Sequence, residues 1–256
     1  MEIIGQEMHL MNQTFLQALE KKDKQTVILL ARRQIEAGAT ALDVNLGQNR
    51  KLGCLTPWLV ETIQQAVEAP LFLSNYVLSQ QRALEIHKGT ATINAVTANR
   101  TELVSAMKTA SFFGARLVVL LVSAACTPVD AEGRLNLAMD VLDVAKETGF
   151  PLDHLYLDPV MSCRPDPVSW SLSGGLPDID LILDSIRLIG ELSGHRLRTI
   201  VALNNTCQFL DGGARSASHC RLLHLLIEAG LDAVIMNCRD QNCMAVAKKT
   251  RLSLAA

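Results

Sequence analysis

Ala31-Arg32-Arg33-Gln34-Ile35-Glu36-Ala37-Gly38-Ala39-Thr40-Ala41-Leu42-Asp43-Val44-Asn45-Leu46-Gly47 carries the tail of a helix, a stop and a strand in one short stretch. Val27, Leu30, Ala31 and Ile35 recur at three- and four-residue spacing, which places them on one helix face. Gly38 stands where a helix end calls for a left-handed residue. Residues 41–47 are too short a run for a helix and are apolar at every position but Asp43 and Asn45. A strand covered on both faces needs such a composition.

The same unit recurs along the chain. Apolar runs at 2–5, 41–47, 70–75, 91–96, 116–123, 155–160, 199–206 and 232–238 read as strands, eight in all. Between them lie helical stripes, of which Ile179, Ile182, Leu183, Ile186 and Ile189 is the clearest. Gly114, Gly149, Gly194 and Gly230 repeat the stop seen at Gly38. Strict strand–helix alternation implies parallel strands joined by right-handed crossovers. Eight such units in 256 residues fit a closed barrel better than an open doubly wound sheet. The expected architecture is one α/β domain over 1–256, a (β/α)8 TIM barrel. One long irregular segment, 162–178, follows strand six and holds Pro165, Pro167, Gly174, Gly175 and Pro177 beside Trp170. It exceeds what a connector needs, so a functional loop is expected there.

Composition narrows the function. Twenty-four basic residues against 26 acidic ones, with no basic block, give no electrostatic reason to expect nucleic acid or an anionic membrane as partner. The longest aliphatic run, Leu117 to Val122, is six residues, against the ~20 that span a bilayer. The start Met1-Glu2-Ile3-Ile4-Gly5 lacks the basic region of a secretory signal. Seven scattered cysteines read as reduced thiols, so a cytoplasmic location is expected.

In such a barrel the active site lies at the carboxyl ends of the strands. Polar residues gather there: Asp43 and Asn45, Ser74 and Asn75, Asn94, Asp158-Pro159, Asn204-Asn205 and Asn237. Singly, each could cap a helix or tie barrel layers together. Their convergence on one face is what marks a site, since desolvating an amide or carboxylate is costly unless it is hydrogen-bonded. The set is rich in amides, has two acids, and has neither a lysine nor a close carboxylate pair. It suits a flat heterocycle with alternating donors and acceptors, such as a pterin, whose amidine-like edge a carboxylate grips with two hydrogen bonds. It suits neither Schiff-base nor retaining-glycosidase chemistry.

Read in order, Ala31-Arg32-Arg33-Gln34, Gly38-Ala39, residues 41–47, Thr92-Ile93-Asn94, Leu155-Tyr156-Leu157-Asp158-Pro159, Leu203-Asn204-Asn205-Thr206-Cys207-Gln208 and Ala229-Gly230-Leu231-Asp232-Ala233 are familiar. The chain resembles the pterin-binding methyltransferases that pass a methyl group between methyltetrahydrofolate and a corrinoid protein. These include the enzyme serving the corrinoid iron–sulfur protein of acetogens and the tetrahydrofolate-side enzyme of bacterial O-demethylases. The resemblance implies that Asp158 and Asn94 hold the pterin. It places Asn205 beside the methyl-bearing nitrogen as catalytic residue, Asp43 and Asn45 on the pocket floor, and Gln208 just beyond Asn205. It further implies tetrahydrofolate or methyltetrahydrofolate as substrate, a corrinoid (cobalamin-type) cofactor brought by a partner protein, and a homodimer. No metal ligand set is expected on the chain itself.

Two stretches depart from that family. Its Ile-Gly-Glu-Arg-Ile-Asn reads Ile4-Gly5-Gln6-Glu7-Met8-His9 here, and its Leu-Asp-Ser reads Leu73-Ser74-Asn75. A pterin-gripping carboxylate is thus absent at strand three. Asn75 is its candidate substitute by a shift of one residue, a shift that turns a strand side chain to the opposite face. Three other readings stay open: a zinc-thiolate enzyme using Cys126, Cys163, Cys207 and Cys238; a dihydropteroate-synthase-like enzyme; and a non-catalytic pterin-binding homologue. For the second, Arg215 and Arg239 lie near the last strands, but no Ser-x-Arg-x-His pattern accompanies them.

Overall fold

The computed structural model describes residues 1–47, 49–123, 128, 130–161, 179–194, 197–207 and 210–253. The 162–178 segment with Trp170 and Cys163, together with Cys126 and Gln208, lies outside those residues.

Eight strands form a closed parallel barrel in chain order. They are β1 (Glu2–His9), β2 (Ala41–Asn45), β3 (Leu71–Ser74), β4 (Thr92–Thr97), β5 (Arg116–Leu120), β6 (Leu155–Asp158), β7 (Arg198–Ala202) and β8 (Ala233–Met236), and β8 returns to pair with β1. The TIM-barrel expectation is met. Side-chain caps set where several helices begin: Asp23, Asn99, Asp130 and Asp211 each accept hydrogen bonds from first-turn amides. Gly38 and Gly149 end their helices at φ of 113° and 69°, values that a Cβ disfavours.

Three expectations are corrected at the strand ends. β1 runs on to His9 rather than stopping at residue 5. β7 stops at Ala202, and Asn204 and Asn205 lie in the 3-10 turn Leu203–Asn205 that follows. β3 stops at Ser74, and Asn75 opens the 3-10 turn Asn75–Leu78.

Alternation along each strand makes two cores. Ile4, Ala41, Phe72, Val118, Tyr156, Ile200, Ala233 and Ile235 fill the barrel interior. The opposite parity, including Leu42, Val44, Leu73, Val119, Leu157 and Val201, packs under the helices. At the amino end of the barrel, Tyr156 donates its hydroxyl proton to Glu2 across the interior. The Arg198 guanidinium donates to the Tyr156 hydroxyl oxygen at 3.1 Å and lies 5.6 Å from that ring's centroid.

Parity is broken at two places. In β1, Gly5 pairs with Leu42 but Met8 pairs with Val44, so β1 holds one residue more than β2 over that span. The bulge sends Met8 to the helix-side core and turns His9 to pair with Asn45. In β4 the register shifts between Ile93 and Val96, around Asn94 and Ala95.

The β1 bulge is held from outside by Gln34, on the helix Lys24–Ala37. Its buried Oε1 accepts from the Glu7 amide at 2.9 Å, and its Nε2 donates to Leu30 O at 3.1 Å. Gly5 makes room for that carboxamide, since a Cβ there would stand 2.5 Å from Gln34 Oε1. Replacing Gln34→Leu strands the Glu7 amide in the core. A loss of about 1–3 kcal/mol in denaturant-unfolding stability is expected; a change within error would show that the bulge holds itself.

Candidate functional site

At the carboxyl end of the barrel the strands surround a cavity of about 740 Å³, a size that accommodates a folded-in heterocycle. Asp43 and Asn45 reach it from β2, Asn94 from β4, Asp158 from β6, and Asn204 and Asn205 from the turn after β7. Thus five of the seven candidate residues (Asp43, Asn45, Asn94, Asp158 and Asn205) share one lining. Gln208 is outside the described residues. Asn75 opens the 3-10 turn after β3 and is not in the lining.

The polar contacts within the site are specific. Asn94 Nδ2 donates to Asp43 Oδ1 at 2.9 Å, linking β4 to β2 over β3. Asn45 Oδ1 accepts from the Gly47 amide at 2.9 Å, which fixes the end of β2. Burial pushes the Asp43 carboxyl up to about 6, against the opposing hydrogen bonds of Asn94 and Asn45. Asp158 is pushed up to about 7 by burial, and only the Val160 amide, 2.8 Å from its Oδ1, pulls the other way. Two acids displaced toward neutrality in one cavity mark a functional site more than a structural one.

The Asp158 turn is built under strain. Val160 has φ of 59°, a left-handed conformation that a β-branched side chain resists. What holds it is Arg134, buried on the helix Ala131–Thr148. Its Nε donates to Pro159 O at 2.8 Å and its Nη1 to Asp130 O at 3.0 Å. On the other wall, Thr206 Oγ1 donates to Leu203 O at 2.8 Å, and Cys207 has φ of 58°. That tight turn presents Asn204 and Asn205 to the cavity.

The structure also shows lining residues that strand-end reasoning did not select. Gln6 and His9 come from β1, turned inward around the bulge, and Arg215 comes from the first turns of the helix Gly212–Glu228. The Met11 amide donates to His9 Nδ1 at 3.2 Å, so the neutral ring carries its proton on Nε2. Burial holds the His9 ring below its ordinary value, which favours that neutral form. The only sequence signal for Gln6 and His9 was that they differ from the methyltransferases the chain resembles; no periodicity marks them. Ser74 is buried with its hydroxyl unpartnered and pairs in register with Asn94.

Of the four strand-end cysteines, Cys207 and Cys238 are among the described residues. Cys207 and Cys238 are buried, and burial pushes the Cys238 thiol up to about 12. Among the described residues, neither belongs to a group of three metal-ligating side chains. No described helix is long and apolar enough to cross a membrane.

No protein-family model matches the sequence. Solved structures do share its fold. The dihydropteroate synthase of Clostridium difficile, determined in the presence of pteroic acid, is 14% identical, with a TM-score of 0.69 over 98% of this chain and 96% of its own. The dihydropteroate synthase of Yersinia pestis with a pterin–sulfa conjugate is 13% identical, with a TM-score of 0.66 over 98% of this chain and 93% of its own. A further structure of the Yersinia pestis enzyme gives 12% identity and a TM-score of 0.63 over 100% of this chain and 93% of its own. Identity at this level establishes the barrel and nothing finer.

The raised value of Asp158 has a direction that stability measurements can read. The folded chain holds this proton more tightly than the unfolded chain does, so stability falls as pH rises from about 4 through about 7. Asp158→Asn keeps an acceptor for the Val160 amide and removes the buried charge. Above pH ~8 the variant should be more stable than the parent by roughly 1–4 kcal/mol, a difference that vanishes below pH ~4. Parallel denaturation curves at every pH would remove the buried-charge assignment. At the same turn, Val160→Gly should raise the melting temperature while loosening Asp158; an unchanged or lower melting temperature would show that the turn carries no strain.

Proposed function

We propose that this cavity binds the pterin ring of tetrahydrofolate or methyltetrahydrofolate, and that the chain moves a methyl group between that folate and the cobalt of a corrinoid held by a partner protein. The observation that carries the reading is the Asp43–Asn94 pair set in one cavity with Asp158, Asn45 and Asn205. Their donors and acceptors match a pterin edge: a carboxylate for the amidine-like side, and amides for the carbonyl and ring nitrogens.

Asp158 supplies the bidentate grip, and Asn94, steadied by Asp43, reads the neighbouring ring atoms. Asn205 stands on the separate turn after β7 and donates to the nitrogen that carries the methyl. A tertiary amine releases a methyl group poorly unless that nitrogen gains positive character, so a hydrogen bond that tightens there lowers the barrier. When bound, the corrinoid supplies a cobalt nucleophile or, in the reverse direction, the methyl-bearing centre. The protein's own contribution is alignment of the two substrates at the cavity. Leu10 and Met11 sit at the cavity rim, Met11 with 83% of its surface exposed, which favours docking of a protein over the mouth. Homodimer formation belongs to the same proposal by resemblance.

A second reading has one observation in its favour. Arg215 lines the cavity beside Asn205, as a site that binds a pterin pyrophosphate would want, and the solved structures of the same fold are dihydropteroate synthases.

The assay mixes the protein with methyltetrahydrofolate and reduced cobalamin and follows loss of the Co(I) spectrum. Turnover is expected, and Asn205→Ala should lower its rate by ~100-fold with a much smaller change in folate affinity. Equal losses in binding and rate would make Asn205 an ordinary pterin contact. No transfer in either direction, with dihydropteroate formed from a pterin pyrophosphate, would establish the second reading. Absence of both activities with folate still bound would leave a binding protein. Asp158→Asn should weaken folate binding by more than ~10-fold. Ser74→Asp, which restores the family's second carboxylate, should tighten it.

A further inference from the structure

Behind the mouth, the helices Gly212–Glu228 and Gln241–Ser253 pack against each other, and three metal-ligating side chains meet at their contact. Cys220 Sγ lies 3.3 Å from Cys243 Sγ, and Cys243 Sγ lies 3.4 Å from Asp240 Oδ2. The ligand atoms of Cys220, Asp240 and Cys243 all fall within 4.8 Å of one another. Asp240 Oδ1 is committed to the helix start, accepting from the Asn242 and Cys243 amides at 3.1 Å each. Oδ2 is turned to the thiol. The Ser216 side chain also hydrogen-bonds this carboxylate, which is thus both the helix cap and the polar edge of the cysteine pair.

A cavity of about 190 Å³ reaches the cluster, with Ser216, Asp240 and Cys243 in its wall. His219 shares that wall, with its Nε2 3.2 Å from Thr206 O, and it does not belong to the group of ligand atoms that meet within 4.8 Å. Arg215 also borders the cavity, and its Nε and Nη2 are turned to Leu210 O. Two thiolates on zinc stand roughly 3.8 Å apart, from a metal–sulfur bond of about 2.3 Å and tetrahedral angles. The sulfurs here need to separate by only about half an ångström. A disulfide would need them to close to about 2.05 Å, a larger movement between two packed helices.

We propose that Cys220, Cys243 and Asp240 form a site for a divalent metal ion of the zinc class, with two thiolates, one carboxylate and a fourth position open to the cavity for water. Binding forms two metal–sulfur bonds and one metal–oxygen bond and releases the two thiol protons to solvent; no electron moves. Sulfur ligands select zinc or cobalt(II) over magnesium or calcium. The bound ion joins the last two helices just behind the turn that carries Asn204 and Asn205. The proposal is independent of what the mouth binds.

The test uses the full chain, stripped by chelation, reduced with a phosphine and titrated anaerobically with cobalt(II). One equivalent is expected to bind with thiolate-to-cobalt charge-transfer absorption and to be displaced by zinc. Cys243→Ser and Cys220→Ser should each abolish the band, while Cys54→Ser, at an exposed thiol, should leave it intact. Asp240→Asn retains an acceptor for the helix cap and should weaken cobalt binding by at least ~10-fold with the circular dichroism spectrum unchanged. No charge-transfer band in the parent protein overturns the site. So does a band that survives Cys243→Ser, or recovery of Cys220 and Cys243 from cells as a metal-free disulfide.

Discussion

In a closed barrel every strand residue must face either the interior or the helices, and no edge exists where that choice can be relaxed. The site depends on how this parity is kept and where it is broken. Asp43, Asn94 and Asp158 reach the mouth because they continue the inward series set by Ala41, Thr92 and Tyr156. His9 reaches it because one extra residue in β1 shifts the count. That extra residue leaves the Glu7 amide unpaired within the ladder, and Gln34 accepts from it across the barrel wall. A carboxamide on a surface helix thereby helps decide which side chain of β1 lines the cavity.

The mouth is maintained at the expense of stability. Two carboxyl groups are held out of water, one against an amide and one against a single backbone N–H, and the second sits on a turn with a strained valine. Nothing in the fold requires this: an apolar pair at the same places would pack with less cost. Arg134, anchored on a neighbouring carbonyl, over-determines the turn so that the strain persists. The supporting groups are mostly on helices, and the groups they support are on strand ends. The first kind can vary in identity so long as the bond is made, whereas the second faces the ligand directly.

Much of the barrel was legible because its signals are local and repeated. Short Val-, Ile- and Leu-rich runs, apolar helical stripes and stop glycines recur with every unit, and the positive φ at Gly38, Gly114, Gly149, Gly194 and Gly230 accords with the stops read from sequence. Five of the seven candidate residues share one cavity for the same reason: a polar residue ending an apolar run stands out. What was not legible lies in places where parity fails or distant segments meet. The bulge that brings in His9 has no compositional mark. Asn75 falls outside β3 because the end of that strand is set by where its pairing with β4 stops, at Ser74. The Cys220–Cys243 contact joins two helices 23 residues apart in sequence and is invisible to any short window.

The hydrogen bond between Glu2 and Tyr156 spans 154 residues, and β1 pairs with β8 over a still longer separation. Until the last strand is in place, the sheet is an open ribbon with two unpaired edges, each offering its backbone to other chains. The local strand–helix–strand units can assemble early, since their partners are close in sequence. Closure of the seam is a long-range event whose entropy cost is met only when β8, the interior layer and the Tyr156 plug come together. The seam is thus where the most distant segments of the chain are joined. Moving the chain ends elsewhere on the ring, as a circular permutation does, would turn a late contact into an early one without altering a residue of the mouth.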